Sequence, residues 1–221
     1  MKNVFLVSGK LQSGKNQFAE YLGQVIQLNE GTVTFDLFAK DVKEGSRDDF
    51  KKLYEYINSK VRAIRQDLML LSCTCQFTIE PHLNDLETKE DNFFEDKTDL
   101  TRILLQLYGT DIFRKRIDDD YWVKKLISRV QNSEADNIIV TDVRFPNEIE
   151  LFKGTPGINP ISIRIERKMV RKEDFQEHES ETSLDEYKFW DFIVENNGTL
   201  EDLYGSAETI NNEVIKDRIL S

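Results

Sequence analysis

Cysteine and histidine are almost missing from this chain of 221 residues, with two of each. Cys73 and Cys75 form a C-x-C inside an apolar helical stretch, and the two histidines lie far apart. That set makes a poor zinc site, and buried free thiols in a reducing cytoplasm are the expectation. No apolar run approaches membrane-spanning length. The opening Met-Lys-Asn-Val-Phe enters a strand pattern directly and leaves no room for a signal peptide. Positive charge is also in deficit: 30 Lys and Arg stand against 41 Asp and Glu, a net charge of −11. Such a balance argues against a surface built to hold a nucleic acid backbone. Phosphate ligands remain open, because they need only a local cluster of positive charge. The basic residues are therefore read by position.

The length suits one α/β domain with a real core and an insertion, and neither an internal repeat nor a linker divides it. Five segments read as strands: 3–8, 32–38, 137–142, 160–166 and 190–195. Helical patterns separate most of them, which predicts βαβ units and a parallel sheet. The fourth, Ile161-x-Ile163-x-Ile165, alternates with Ser162, Arg164 and Glu166, as expected of an edge strand or of one presenting polar groups to a cleft. Residues 39–135 exceed one crossover. Within them 50–72 is helical in pattern, 80–99 is an acidic solvated stretch, and 100–114 and 119–132 are helices.

The first strand, Val4-Phe5-Leu6-Val7, runs straight into Gly9-x-x-x-x-Gly14-Lys15, and apolar residues then recur at helical spacing from Phe18 to Ile26. A glycine turn between a buried strand and a helix is the setting of a phosphate-binding P-loop. The glycines let backbone N–H groups turn inward, the helix N-terminus adds positive potential, and Lys15 reaches the β- and γ-phosphates. Asn16 replaces the usual Ser or Thr that helps hold Mg²⁺.

Other strand ends carry candidates of their own. Lys40 and Lys43 follow the second strand, where a second phosphate would lie; either alone also reads as a surface lysine. The segment 100–108 is apolar almost all round, so it is expected to be buried. Arg102 and Gln106 share one face of it, and that face either lines a ligand cleft or carries an internally paired arginine. Asp142 ends the third strand, as a Mg²⁺ carboxylate or a base, with Arg144 two residues on as an oxyanion clamp. A structural Asp–Arg pair is the alternative. Five cations, Arg164, Arg167, Lys168, Arg171 and Lys172, crowd nine residues. They suit a lid over a transferring phosphoryl group, with Arg167 the catalytic candidate, or an ordinary basic turn. Asn196-Asn197-Gly198 is a turn signal after the last strand, and Thr199 is a candidate helix cap.

Taken together, SGKLQSGKNQFAEYL, FAKDVK, RILLQLYGTDIFR with DDDYWV, VTDVRFPNE, HESETSLDEY and DFIVENNGTLEDLY resemble the bacteriophage deoxynucleoside monophosphate kinases. More distantly, the chain is similar to phosphomevalonate kinase of the same P-loop superfamily. The resemblance runs from residue 8 to 204 and leaves about 45–98 without a counterpart. It implies a single three-layer P-loop kinase domain over 1–221, with a five-stranded parallel sheet, a helical acceptor-side insertion near 45–98 and a lid near 167–183. It implies ATP as donor, Mg²⁺, and a nucleoside monophosphate as acceptor. ATP contacts fall on Gly9, Lys10, Ser13, Gly14, Lys15, Asn16, Gln17, Arg164, Asn196 and Gly198. Acceptor contacts fall on Lys43, Arg102, Gln106, Arg114, Trp122 and Arg144. Catalytic roles fall on Lys15, Arg144, Arg167 and Asp142, and the metal on Asn16 and Asp142 through water. His178, Ser180, Glu181 and Asp185 match a motif read as lid structure and capping. Small nucleotides are the implied partners, with neither a nucleic acid polymer nor a membrane, and a homodimer is the family prior. The implied location is the cytoplasm, the host's if the chain is phage-encoded. A kinase for another phosphorylated metabolite is the alternative. A GTPase-like switch is less favoured, since no N-K-x-D motif appears.

Overall fold

The computed structural model of the chain describes residues 1–29, 31–46, 49, 105, 107–168 and 179–220. The chain divides into two compact units, Met1–Lys40 with Ile117–Ser221, and Asp41–Arg116. The regions 50–72 and 80–99, with Arg102, Gln106, Arg171, Lys172 and His178, lie outside the described residues.

The first unit is built on five strands: β1 (Lys2–Gly9), β2 (Val33–Asp36), β3 (Asn137–Val140), β4 (Ile158–Glu166) and β5 (Phe192–Glu195). All pairings are parallel, in the order β2-β3-β1-β4-β5. The helices are α1 (Lys15–Leu28), α2 (Tyr121–Asn132), α3 (Pro146–Lys153), the short α4 (Glu179–Thr182) and α5 (Leu200–Leu220). No described helix is long and apolar enough to cross a membrane. β1 is central, and Val4 through Val7 are buried on both faces, as a continuous apolar run in a parallel sheet requires. Phe5 and Val7 join Phe18, Leu22 and Ile26 of α1, Ile163 and Ile165 of β4, and Leu203, Ala207 and Ile210 of α5 in one apolar cluster. Packing of α1 against α5 thus covers one face of the sheet near the end of β1.

Of the two expectations for β4, an edge strand or one presenting polar groups to a cleft, the edge position is corrected. The strand lies between β1 and β5, in register with β1 over eight residues. Its polar side chains are satisfied inside the fold. Ser162 donates its hydroxyl to Asp191 at 2.6 Å, and Arg164 donates to Ser8 at 3.1 Å. β2 is shorter than 32–38, because the chain is already helical from residue 38. Arg129 of α2 fastens its end, donating to both carboxylate oxygens of Asp36 at 2.9 and 3.0 Å and to the Leu37 carbonyl. At the other end of the sheet a row of amides crosses three strands. Asn159 donates to Asn3, Asn3 to Asn137, and Asn137 to the Thr32 carbonyl, at 2.9–3.0 Å. The partners sit at matching register positions.

The second unit contains a π-helix, Leu107–Arg114. Tyr108 is its buried anchor, donating to Asp49 at 2.8 Å and stacking obliquely on Phe113. The π geometry replaces the end of the ordinary helix expected over 100–114.

Candidate active site

β1 ends at Gly9 and α1 begins at Lys15, so five residues make the connection. Gln12 (φ 63°) and Gly14 (φ 92°) both lie in the left-handed region. Alternation of backbone hand turns successive N–H groups to one side and makes an anion nest. Ser13 N–H closes the turn on the Lys10 carbonyl at 3.1 Å, and Gly14 accepts the first helical bond from Phe18. The first turn of α1, Lys15-Asn16-Gln17, holds no acidic residue, which suits an anion at the positive end of the helix. Gly9 is needed for space: a Cβ there would fall 2.8 Å from the Ile165 carbonyl and 2.4 Å from Ser13 Oγ. Ser13 is buried, and its hydroxyl has no hydrogen-bond partner among the described residues.

Side chains from three other elements brace this loop. Asn196, at the end of β5, donates from Nδ2 to the Ser13 carbonyl at 2.8 Å, while its own N–H donates to the Glu166 carbonyl. Gln17 donates to the Tyr204 hydroxyl at 2.8 Å and Tyr204 stacks on Tyr21 at 4.0 Å, which ties α1 to α5. Gln17, expected at ATP, is exposed and its side chain helps join the two helices. Lys10 pairs with Asp185 at 2.6 Å. Asp185 also meets Arg164 at 3.4 Å, and Arg164 lies over the Trp190 ring. Burial pulls the Arg164 guanidinium below the usual arginine value, and Asp185 opposes it. Arg164, expected as a lid or ATP contact, is here a buried strap between β4, Ser8 and Asp185. The exposed cations just past β4 are Arg167 and Lys168.

The loop after β3 behaves differently from its expectation. Asp142 accepts the N–H groups of Phe38 and Ala39 at 3.0 and 2.8 Å, one on each carboxylate oxygen. It thereby caps the helical stretch that starts at residue 38. Burial raises its carboxyl above the usual Asp value, opposed by those two N–H donors and by the charge of Arg144. Asp142 is accordingly a positioning group, and the role of base facing an acceptor is not what this geometry offers. Arg144 is exposed, with its own N–H held by the buried Glu148 at 2.7 Å. Glu148 also accepts from Phe145 and so fixes the turn into α3. Asn147 donates to Asp120 at 2.8 Å, linking this loop to the start of α2. Trp122, expected against the acceptor, is 3% exposed and belongs to the core. Lys43 and Arg114 belong to the second unit, where Arg114 is buried at the end of the π-helix. Gly198 is fixed by the cap of α5, its Cβ position lying 2.4 Å from Asp202 Oδ2.

Glu148, Trp190, Asp191 and the side-chain role of Asn196 escaped the sequence reading. Only Asp191 carried a usable signal, as an acid just before a strand whose neighbour bears an inward Ser162. Among the described residues no three His, Cys, Asp or Glu side chains cluster to hold a metal. Mg²⁺ in nucleotide sites is held by one or two carboxylates together with substrate phosphates. Asn16, exposed at the loop, and the remaining lone pairs of Asp142 are compatible with that use.

A parallel sheet in this order, with a glycine-rich nest at the β1–α1 junction, defines the P-loop kinase class of α/β fold. A family model described as deoxynucleotide monophosphate kinase matches residues 50–207. The chain belongs to that family. The match begins beyond the phosphate loop, so the loop's assignment rests on its own geometry. Relatives include the deoxynucleoside-5'-monophosphate kinase of Escherichia phage T5, 33% identical over 38% of this chain and 34% of the relative. A putative deoxynucleotide monophosphate kinase of Acanthamoeba polyphaga mimivirus is 30% identical over 53% of this chain and 63% of its own length. The deoxynucleotide monophosphate kinase of Escherichia phage RB69 is 30% identical over 49% and 43%. The aligned part of this chain thus spans between one third and under two thirds of these relatives.

Proposed function

We propose that the protein transfers the γ-phosphoryl group of ATP to the 5′-phosphate of a deoxynucleoside monophosphate. An oxygen of the acceptor phosphate forms the new P–O bond, the bond between the γ-phosphorus and its bridging oxygen breaks, and ADP leaves. The observation that carries the reading is the left-handed Gly14 nest running into Lys15 at the head of α1. The family and the relatives' names support the choice of acceptor. An acceptor phosphate is ionised near neutral pH, so no strong base is needed, in keeping with the capping role of Asp142. The chain's own contribution is alignment and charge neutralisation. Backbone N–H groups of the nest and Lys15 would hold the polyphosphate, and Arg144 and Arg167, both exposed just past strand ends, would meet the second phosphate. Mg²⁺, carried on the nucleotide, would offset the phosphate charge, with Asn16 and Asp142 receiving its water shell.

An ADP-release assay across the four deoxynucleoside monophosphates and phosphomevalonate tests the acceptor. Turnover with phosphomevalonate alone would overturn the nucleotide reading. Lys15→Ala is expected to lower kcat by at least about 100-fold, with the circular dichroism spectrum unchanged. Undiminished turnover in that variant would sink the phosphate-loop assignment.

A further inference from the structure

We infer that Asn196 is a positioning residue that aims a backbone donor of the phosphate loop at the polyphosphate. This deepens the reading above and rests on it. The amide of Asn196 reaches across from the end of β5 and donates to the Ser13 carbonyl at 2.8 Å. A peptide group is rigid, planar and trans, so its C=O and N–H point in opposite directions, and fixing the Ser13 carbonyl aims the Gly14 N–H the other way. The Ser13 N–H is already committed to the Lys10 carbonyl. Its hydroxyl is buried beside Gly9 and makes no bond among the described residues. Asn196 therefore supplies the polar side-chain bond that sets this peptide.

Two further observations fit. A Cβ on Gly14 would lie 2.3 Å from Asn196 Nδ2, so glycine is required there for the amide to approach as well as for the φ of 92°. Asn196 is itself held from both sides. Its N–H donates to Glu166 at 2.7 Å, and the neighbouring Asn197 accepts the Lys168 N–H at 2.9 Å. The same turn thus connects the loop to the exit of β4, where Arg167 stands. Asn196 touches the ATP site through Ser13 and not through the transferred group.

The test is direct binding of ATP to wild type, Asn196→Ala and the isosteric Asn196→Asp, with steady-state kinetics for both substrates. Backbone bonds of residue 196 survive both changes. Asn196→Ala is expected to raise the Kd for ATP about tenfold, the worth of one well-placed hydrogen bond. KM for the deoxynucleoside monophosphate should stay within about twofold, a split that general loosening of the fold would not produce. If the alanine variant does not fold, Asn196→Asp removes the donor at the same volume and should show the same split. Wild-type ATP binding with an unchanged Kd in the variants overturns the inference alone, and so does an equal rise in both constants. Failure of the wild-type protein to bind ATP overturns the phosphate-loop reading and this inference with it.

Discussion

Asp185 serves two cations at once, and they are not equivalent. Lys10 is a half-exposed partner at 2.6 Å, whereas the Arg164 side chain is about 10% exposed and also donates to Ser8. Surface ion pairs contribute about 0–1 kcal/mol, while loss of one partner from a buried pair strands a charge and costs several times more. Asp185 is itself 40% exposed, so the larger figure must be discounted for solvent. Asp185→Ala is expected to destabilise the fold by about 1–2 kcal/mol, and Lys10→Ala by no more than about 0.5 kcal/mol. Urea unfolding of the two variants at equal m-value checks the order, and equal midpoints would show that Arg164 finds another partner. The same residues show what was legible in the sequence. Position along a strand could be read, so Asp142, Arg144, Arg164 and Asn196 were all placed at strand ends or in strands near the loop. Direction could not be read. Whether Asp142 turns to a metal or to the N–H groups of Phe38 and Ala39 depends on where the chain at 38 passes, a tertiary fact. Trp122 shows the same limit: an aromatic in a helix reads alike whether it faces a base or the core, and here it is buried.

Elements were legible where burial imposes a period. All five strands fall where apolar runs place them; in β1 and β3 this is because a strand covered on both faces leaves little room for polar residues, while the edge strands β2 and β5 are only partly covered. The exception in character was β4, whose Ser162 and Arg164 mimic an exposed alternation while finding partners inside. α5 shows the converse, an element whose start was spelled by its cap. Thr199 Oγ1 accepts the Asp202 N–H at 3.2 Å, and Asp202 accepts the Thr199 N–H at 2.8 Å. This reciprocal box satisfies donors that the first helical turn leaves open. The N–H and the hydroxyl of Thr199, which donate to Asp202 Oδ2 at 2.8 and 2.9 Å, hold the Asp202 carboxyl below the usual Asp value. A depressed carboxyl contributes stability above its unfolded pKa of about 4 and loses it as pH falls through the lower folded value. Thr199→Ala is therefore expected to cost about 1 kcal/mol at pH 7, some 2–4 °C in Tm for a chain of this size. The gap between wild type and Asp202→Asn should narrow as the pH falls from 5 to 2, as followed by thermal denaturation. A gap independent of pH would show that the carboxylate charge plays no part in the cap.

Across the whole molecule the net charge of −11 opposes the binding of a polyanion, so the proposed affinity for ATP would have to come from a short-range arrangement of N–H groups and Lys15. That arrangement lies wholly within the unit formed by Met1–Lys40 and Ile117–Ser221. Ligand that binds only the folded state stabilises it by RT ln(1 + [L]/Kd), about 2.7 kcal/mol at one hundred times Kd. For a protein of this length that corresponds to a rise in Tm of about 5–11 °C. Two compact units need not melt together, and a calorimetric scan is expected to assign the rise to the unit that carries the loop. In Lys15→Ala the unliganded Tm should match wild type within about 2 °C, because a single half-exposed side chain outside the core contributes little to folding. The ATP-dependent rise should then largely vanish at the same concentration. Single-stranded DNA is expected to leave Tm unchanged, since a net charge of −11 opposes a long polyanion. A full ATP shift in Lys15→Ala would show that ground-state binding rests on the backbone N–H groups of the loop or on another site, and would leave the cation at the head of α1 a role in turnover alone.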